Sequence, residues 1–175
     1  MPQATVMLAV QRNADLRAND YASARNHYAR AFPELIASES PRVDAGNLWA
    51  AIDLALVFQR SGDDAAADKL LDLSNVAMLG CPRLGEAGFG IADVQIHALR
   101  GEKTKALSAL REAERAGWRG PNWRYYRDHD PELASIRNEP EFRAIFADIE
   151  RDMAQQRARL AARPKDAPLE LGRPL

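Results

Sequence analysis

SGDDAAADKLL, residues 61–71, holds the features on which the fold turns: a glycine, two adjacent aspartates after it, a run of alanines and, past Asp68 and Lys69, a pair of leucines. Glycine adopts the left-handed backbone that ends a helix, and aspartate caps the start of another, so the segment reads as a tight turn between two helices. RGEKTKALSAL, residues 100–110, has the same spacing, with alanine five residues after the glycine and a large apolar residue four further on. NDYASARNHY, residues 19–28, offers it a third time, with asparagine in place of the glycine. Ala24, Ala67 and Ala106 therefore correspond, as do Tyr28, Leu71 and Leu110. Small side chains at such points let two helix axes approach to about 8–10 Å, with the larger residues filling the space on either side.

Working outward, apolar residues recur at three- and four-residue intervals in nearly every long segment, and strand-like alternation of valine, isoleucine and threonine is absent. This predicts an all-α fold with helices near 4–16, 20–37, 44–61, 64–79, 87–100, 103–116, 131–137 and 139–162. Gly80-Cys81-Pro82 and Gly120-Pro121 supply further breaks. Helices joined by turns this short run antiparallel and pack as hairpins.

The pattern resembles the tetratricopeptide repeat, whose first helix spaces a leucine, a small residue and an aromatic, and whose second carries an alanine and a large residue. The middle unit follows it with Leu54, Ala55 and Phe58, then Ala67 and Leu71. The third departs, with Asp93, Val94 and His97 at the first-helix positions, and the first has Gln11, Arg12 and Asp15 there. The turns at Asn19, Gly62 and Gly101 also lie further apart than the family's period of about 34 residues. Extra residues fall in links around 38–44 and 80–86.

The resemblance spans about 4–118 and implies three units, near 4–37, 44–79 and 87–118, in a right-handed superhelix. It also implies a non-catalytic scaffold that holds a peptide or partner protein on the inner face of each first helix. On this chain those positions are Asn13, Arg17, Trp49, Gln59, Arg60 and Gln95, with Arg17 and Arg60 suited to a carboxylate and Trp49 to a hot-spot contact. The stretch DPELASIRNEPEFRAIFADIERD, residues 130–152, is similar to the end of helical-repeat regions in multidomain bacterial regulators, nucleotide cyclases and serine/threonine kinases. Asp130, Pro131, Leu133, Ile136, Arg137, Pro140 and Phe142 carry that likeness. It implies a cap over 130–162 and a place at the end of a larger signalling protein. The apolar stripe Phe142, Ile145, Phe146, Ile149 and Met153 suits such a cap.

The 175 residues allow one domain, expected over 1–163 with a proline-containing tail at 164–175. A formal net charge of −1 speaks against a surface tuned as a whole to nucleic acid. The single cysteine, Cys81, excludes an intrachain disulfide and a multi-thiolate metal site, in keeping with a reducing compartment such as the cytoplasm. No apolar run is long enough to span a membrane and no signal peptide is evident.

Residues 118–133, WRGPNWRYYRDHDPEL, concentrate the aromatic and charged chemistry. Arg111, Arg115, Arg119, Arg124 and Arg127 around Trp118, Trp123, Tyr125 and Tyr126 have the composition of a single-strand nucleic-acid groove. Glu112, Glu114, Asp128 and Asp130 lie among them, and the same mixture suits a packed seam between helices. His129 between Asp128 and Asp130 evokes a general base, but neighbours on a turn rarely converge on one point, and Asp130 before Pro131 reads as a helix cap. An enzyme would require convergent polar groups in a pocket. Gly85 to Gly90 lacks phosphate-loop order and reads as a flexible link. His27, His97 and His129 have no metal-ligand spacing, and His97 falls where a packed core residue is expected. No cofactor is implied.

Overall fold

A computed structural model describes residues 2–36, 41–85 and 88–164. Eight α-helices form among them, with two 3-10 turns and no strand, so the protein is all-α. They are α1 (Pro2–Ala18), α2 (Tyr21–Ala31), α3 (Leu48–Ser61), α4 (Asp64–Ala77), α5 (Ala92–Leu99), α6 (Lys103–Arg115), α7 (Trp123–Asp128) and α8 (Pro140–Ala161).

The three turns share one geometry. Asn19, Gly62 and Gly101 all have positive φ, at 56°, 82° and 71°. In each, the next N–H reaches back to a carbonyl five residues earlier: Asp20 to Asp15, Asp63 to Phe58 and Glu102 to His97, at 2.9 Å every time. The left-handed residue itself bonds three residues back, to Leu16, Gln59 and Ala98. This pair of hydrogen bonds closes a helix end while satisfying its free carbonyls. Asp20 and Asp63 then cap α2 and α4 by accepting from Ser23 N and Ala66 N. Each helix pair therefore folds back on itself, and Ala24, Ala67 and Ala106 are fully buried where the helices close, along with Tyr28, Leu71 and Leu110.

α3 is the central element, in contact with α1, α2, α4 and α5. Every residue from Ala50 to Phe58 is buried, so the helix is enclosed on all sides. A second apolar cluster gathers Trp118, Trp123, Leu133 and Ile136 against Phe142, Ile145, Phe146 and Ile149 of α8, with Met153 partly buried beside them.

Several expected boundaries move. α2 stops at Ala31 and does not run through 37, because Pro33 opens a separate 3-10 turn, Pro33–Leu35, and cannot continue the helix. The helix expected near 131–137 is one 3-10 turn, Pro131–Leu133, followed by further turns. α7 was not expected, since six residues are too few to show a helical period. α5 begins at Ala92, because Phe89 and Gly90 are tied back to the carbonyls of Pro82 and Arg83. Arg83 bonds the Gly90 carbonyl and Asp93, so the described part of the glycine-rich link is pinned. The links expected around 38–44 and 80–86, the predicted start of a helix at 87 and the tail from 165 fall wholly or partly outside the described residues.

Candidate functional site

Asp53 stands alone as a charge in the apolar run of α3, and a charge in so enclosed a helix must be paired. Its partner is Arg12 of α1, whose guanidinium Nη1 bridges Asp53 Oδ1 and Glu132 Oε1. The other Asp53 oxygen accepts from the Tyr28 hydroxyl of α2 at 2.6 Å. Gln95 of α5 donates its side-chain N–H groups to Asp130 Oδ2, at 2.9 Å, and to Glu132 Oε2. Asp130 also caps the 3-10 turn by accepting from Glu132 N at 3.2 Å, and Pro131 occupies the first position of that turn. Asn13 Nδ2 donates to the Tyr125 hydroxyl at 2.6 Å. All three hairpins and the segment after α7 thus meet in one polar cluster.

One guanidinium faces three carboxylates here, and Arg12, Asp53, Asp130 and Glu132 are 2%, 7%, 1% and 2% exposed. Burial pushes the Asp130 carboxyl up to about 6, against the pull of Arg12. Burial, and then the charge of Asp130, raises Glu132 well above the usual carboxylate range. For Arg12 burial acts to lower the pKa, but Asp53 and Glu132 outweigh it and hold the guanidinium charged. Burial raises Tyr28, Tyr125 and Tyr126, keeping their phenols protonated.

Two cavities adjoin the cluster. The inner one, about 260 Å³, is lined by Val6, Ala9, Arg12, Trp49, Asp53, Gln95, Tyr125, Tyr126, Asp130 and Glu132. Val6 is 57% exposed, so this cavity reaches solvent. The outer one, about 630 Å³, is lined by Asn13, Leu16, Arg17, Asn19, Tyr21, Arg60, Tyr125, His129 and Pro131. Tyr125 borders both.

The predicted ligand positions divide between them. Asn13, Arg17 and Arg60 line the outer cavity, while Trp49 and Gln95 line the inner one. Gln59 lines neither; its Nε2 donates to the Leu99 carbonyl at 3.0 Å and straps α3 to the end of α5. Arg12, Asp53, Asp130 and Glu132 were missed. The available signal was a charged residue at an inward position of several segments at once, with opposite signs. Arg12 and Asp15 read as spoiling the first helix, whereas both are buried, and Asp15 lies 3.0 Å from His27 Nδ1.

The segment after α6 is a seam. Trp118 and Trp123 are 6% and 2% exposed. Trp118 meets Tyr126 and Phe146 edge-on, and the guanidiniums of Arg124 and Arg127 lie over the Trp123 ring. Arg111 pairs with Asp148, Arg119 with Asp152 and Arg127 with Asp128 and Glu150. His129 is exposed while Asp130 is buried against Gln95, so the two do not form a base and its orienting acid. His97 is not a core histidine: it is half-buried and sits 2.6 Å from Glu102.

Among the described residues no group of histidine, cysteine, aspartate or glutamate is placed to hold a metal ion, and no helix is long and apolar enough to cross a membrane. The chain matches no protein-family model, and no curated protein or solved structure is significantly similar to it. Fold and site together define an all-helical protein whose hairpins converge on a buried acidic cluster beside two cavities that share Tyr125.

Proposed function

We propose that this chain is a non-catalytic interaction module, a short tetratricopeptide-like stack of hairpins that binds a peptide or partner segment in the concavity between α1, the end of α3 and α7. The observation that carries the reading is the outer cavity. Arg17 from the first hairpin and Arg60 from the second line one concavity with Asn13 and Tyr125, and both arginines are exposed. Two guanidiniums in a concave, partly apolar setting favour a carboxylate, which each can take through paired N–H groups. By the likeness of 130–152, the module serves as the terminal interaction region of a larger bacterial regulator.

The test is retention of a defined peptide mixture on immobilised protein, with free and amidated carboxyl termini compared. Free-acid peptides are expected to be retained, and the double variant Arg17→Glu, Arg60→Glu to lose them. Equal retention by that variant overturns the reading.

The raised carboxyls of Asp130 and Glu132 beside a cavity are also what an acid–base enzyme needs. Each of their four oxygens, however, already accepts an internal hydrogen bond from Arg12, Gln95 or the Glu132 amide. That occupancy favours a binding wall over a proton-transfer pair. The nucleic-acid alternative through 118–127 has against it the burial of both tryptophans and the pairing of its arginines.

A further inference from the structure

We infer that the inner cavity is a recognition site for an organic cation, an alkylammonium or guanidinium head on a slender stem. Four observations lead there. Asp53, Asp130 and Glu132 line the cavity with only Arg12 to oppose them, so the wall carries surplus negative charge once Asp130 is ionised. Gln95 lines the same cavity at 3% exposure, and its Oε1 is a buried acceptor with no hydrogen-bond partner. An unpaired buried acceptor is costly, and a donor-rich ligand removes the cost. Trp49, Tyr125 and Tyr126 supply aromatic faces that attract cations, Trp most strongly. Finally, about 260 Å³ has room for roughly eight waters, or the head and stem of one basic side chain, but not for a nucleotide.

The charged groups on this wall are three carboxylates and one guanidinium, with the apolar Val6 and Ala9 beside them. Arg12 is itself committed to Asp53 and Glu132, which leaves Asp130 and the Gln95 carbonyl oxygen to meet the incoming head. A cation entering beside Asp130 displaces its proton, so binding tightens as pH rises through about 6. The groups facing Asp130 in this cluster are Arg12 from α1, Asp53 from α3, Gln95 from α5, Tyr125 and Tyr126 from α7, and Glu132, while Arg137 donates to the Asp130 backbone carbonyl.

The head could belong to a free small molecule or to a lysine or arginine of a bound segment. Calorimetry on the intact chain at low salt separates the two, using agmatine, n-butylamine, neutral n-butanol, and a short peptide with one arginine or with citrulline in its place. Expected is saturable binding of at least one cationic probe, with its neutral counterpart at least tenfold weaker. Asp130→Asn and Trp49→Ala should each weaken it by tenfold or more. Tighter binding of agmatine or butylamine than of the arginyl peptide identifies a small-molecule site, and the reverse order a side-chain pocket. Absence of binding for every cationic probe at millimolar concentration overturns the inference, as does binding unchanged in both variants. Trp49 is only half-buried, so its variant is expected to fold even if the change at Asp130 does not permit folding. The small probes lack a carboxylate and do not engage Arg17 and Arg60, so failure here leaves the peptide reading standing, and the converse holds.

Discussion

Arg12 and Glu132, 2% exposed each, are ion-paired across most of the chain's length, joining the first helix to the 3-10 turn after α7. The same guanidinium nitrogen holds Asp53 of the central helix. A buried pair of this kind contributes little net stability over an apolar substitute, but removing one member leaves the others buried without a compensating charge. Its value here is positional: it sets α1, α3 and the Asp130–Glu132 segment around one point, and so fixes the walls of both cavities.

Arg12→Met is therefore expected to cost about 3–5 kcal/mol, leaving Asp53 and Glu132 uncompensated. At about 2–4 °C per kcal/mol for a chain of this size, the melting midpoint should fall by roughly 10 °C. Glu132→Gln should cost distinctly less, because it removes one of the three surplus-forming charges and keeps an acceptor for Arg12. Thermal or urea unfolding of the two variants gives the order. A smaller loss for Arg12→Met than for Glu132→Gln would show that the cluster is not held by this charge balance.

The close approach within the hairpins supplies a second prediction. Ala67 is fully buried on α4, and α3 is the helix it faces across the Gly62 turn. Ala67→Leu inserts methylenes into a filled interface and should destabilise by about 1–3 kcal/mol. Ala65→Leu, exposed on the same helix, should stay within about 0.5 kcal/mol of wild type. Equal unfolding midpoints for the two variants would mean that the alanine spacing does not set the helix separation.

The contrast between these two sets of residues explains what was legible in the sequence. Turn residues announce themselves locally: Asn19, Gly62 and Gly101 all take the left-handed backbone their spacing suggests, and the alanines after them are buried. Asp130 was likewise readable as a cap, because Asp-Pro encodes that geometry within three residues. The cluster around Arg12 depends on pairings between residues 41 and 120 positions apart, which no periodicity records. Asp53 within an apolar helix was the usable sign, since burial of a lone carboxylate demands a distant cation. Trp118 and Trp123 were open to two readings by composition, a base-stacking surface or a packed seam, and their burial against the apolar stripe of α8 is a long-range arrangement that no local pattern displays.

The raised carboxyls also impose a pH dependence with a definite sign. Asp130 stands at about 6 in the folded protein, above the ordinary aspartate value of about 4, so the folded state holds this proton more tightly than the unfolded chain. Between about pH 4 and 6 the unfolded state loses the proton first, and unfolding becomes easier as pH rises. The stability this group contributes is complete below pH 4 and lost by the time pH passes 6, a change of up to about 3 kcal/mol. Glu132, raised well above its usual range, carries the same trend further toward neutral pH. Asp128, Asp148 and Asp152, held low by Arg127, Arg111 and Arg119, act in the opposite direction but titrate below this window. Asp130→Asn retains a capping side chain and removes the titration, so urea midpoints measured from pH 4 to 7 should fall less steeply in the variant than in wild type. Parallel slopes would show that Asp130 does not hold its proton more tightly in the folded state than in the unfolded chain.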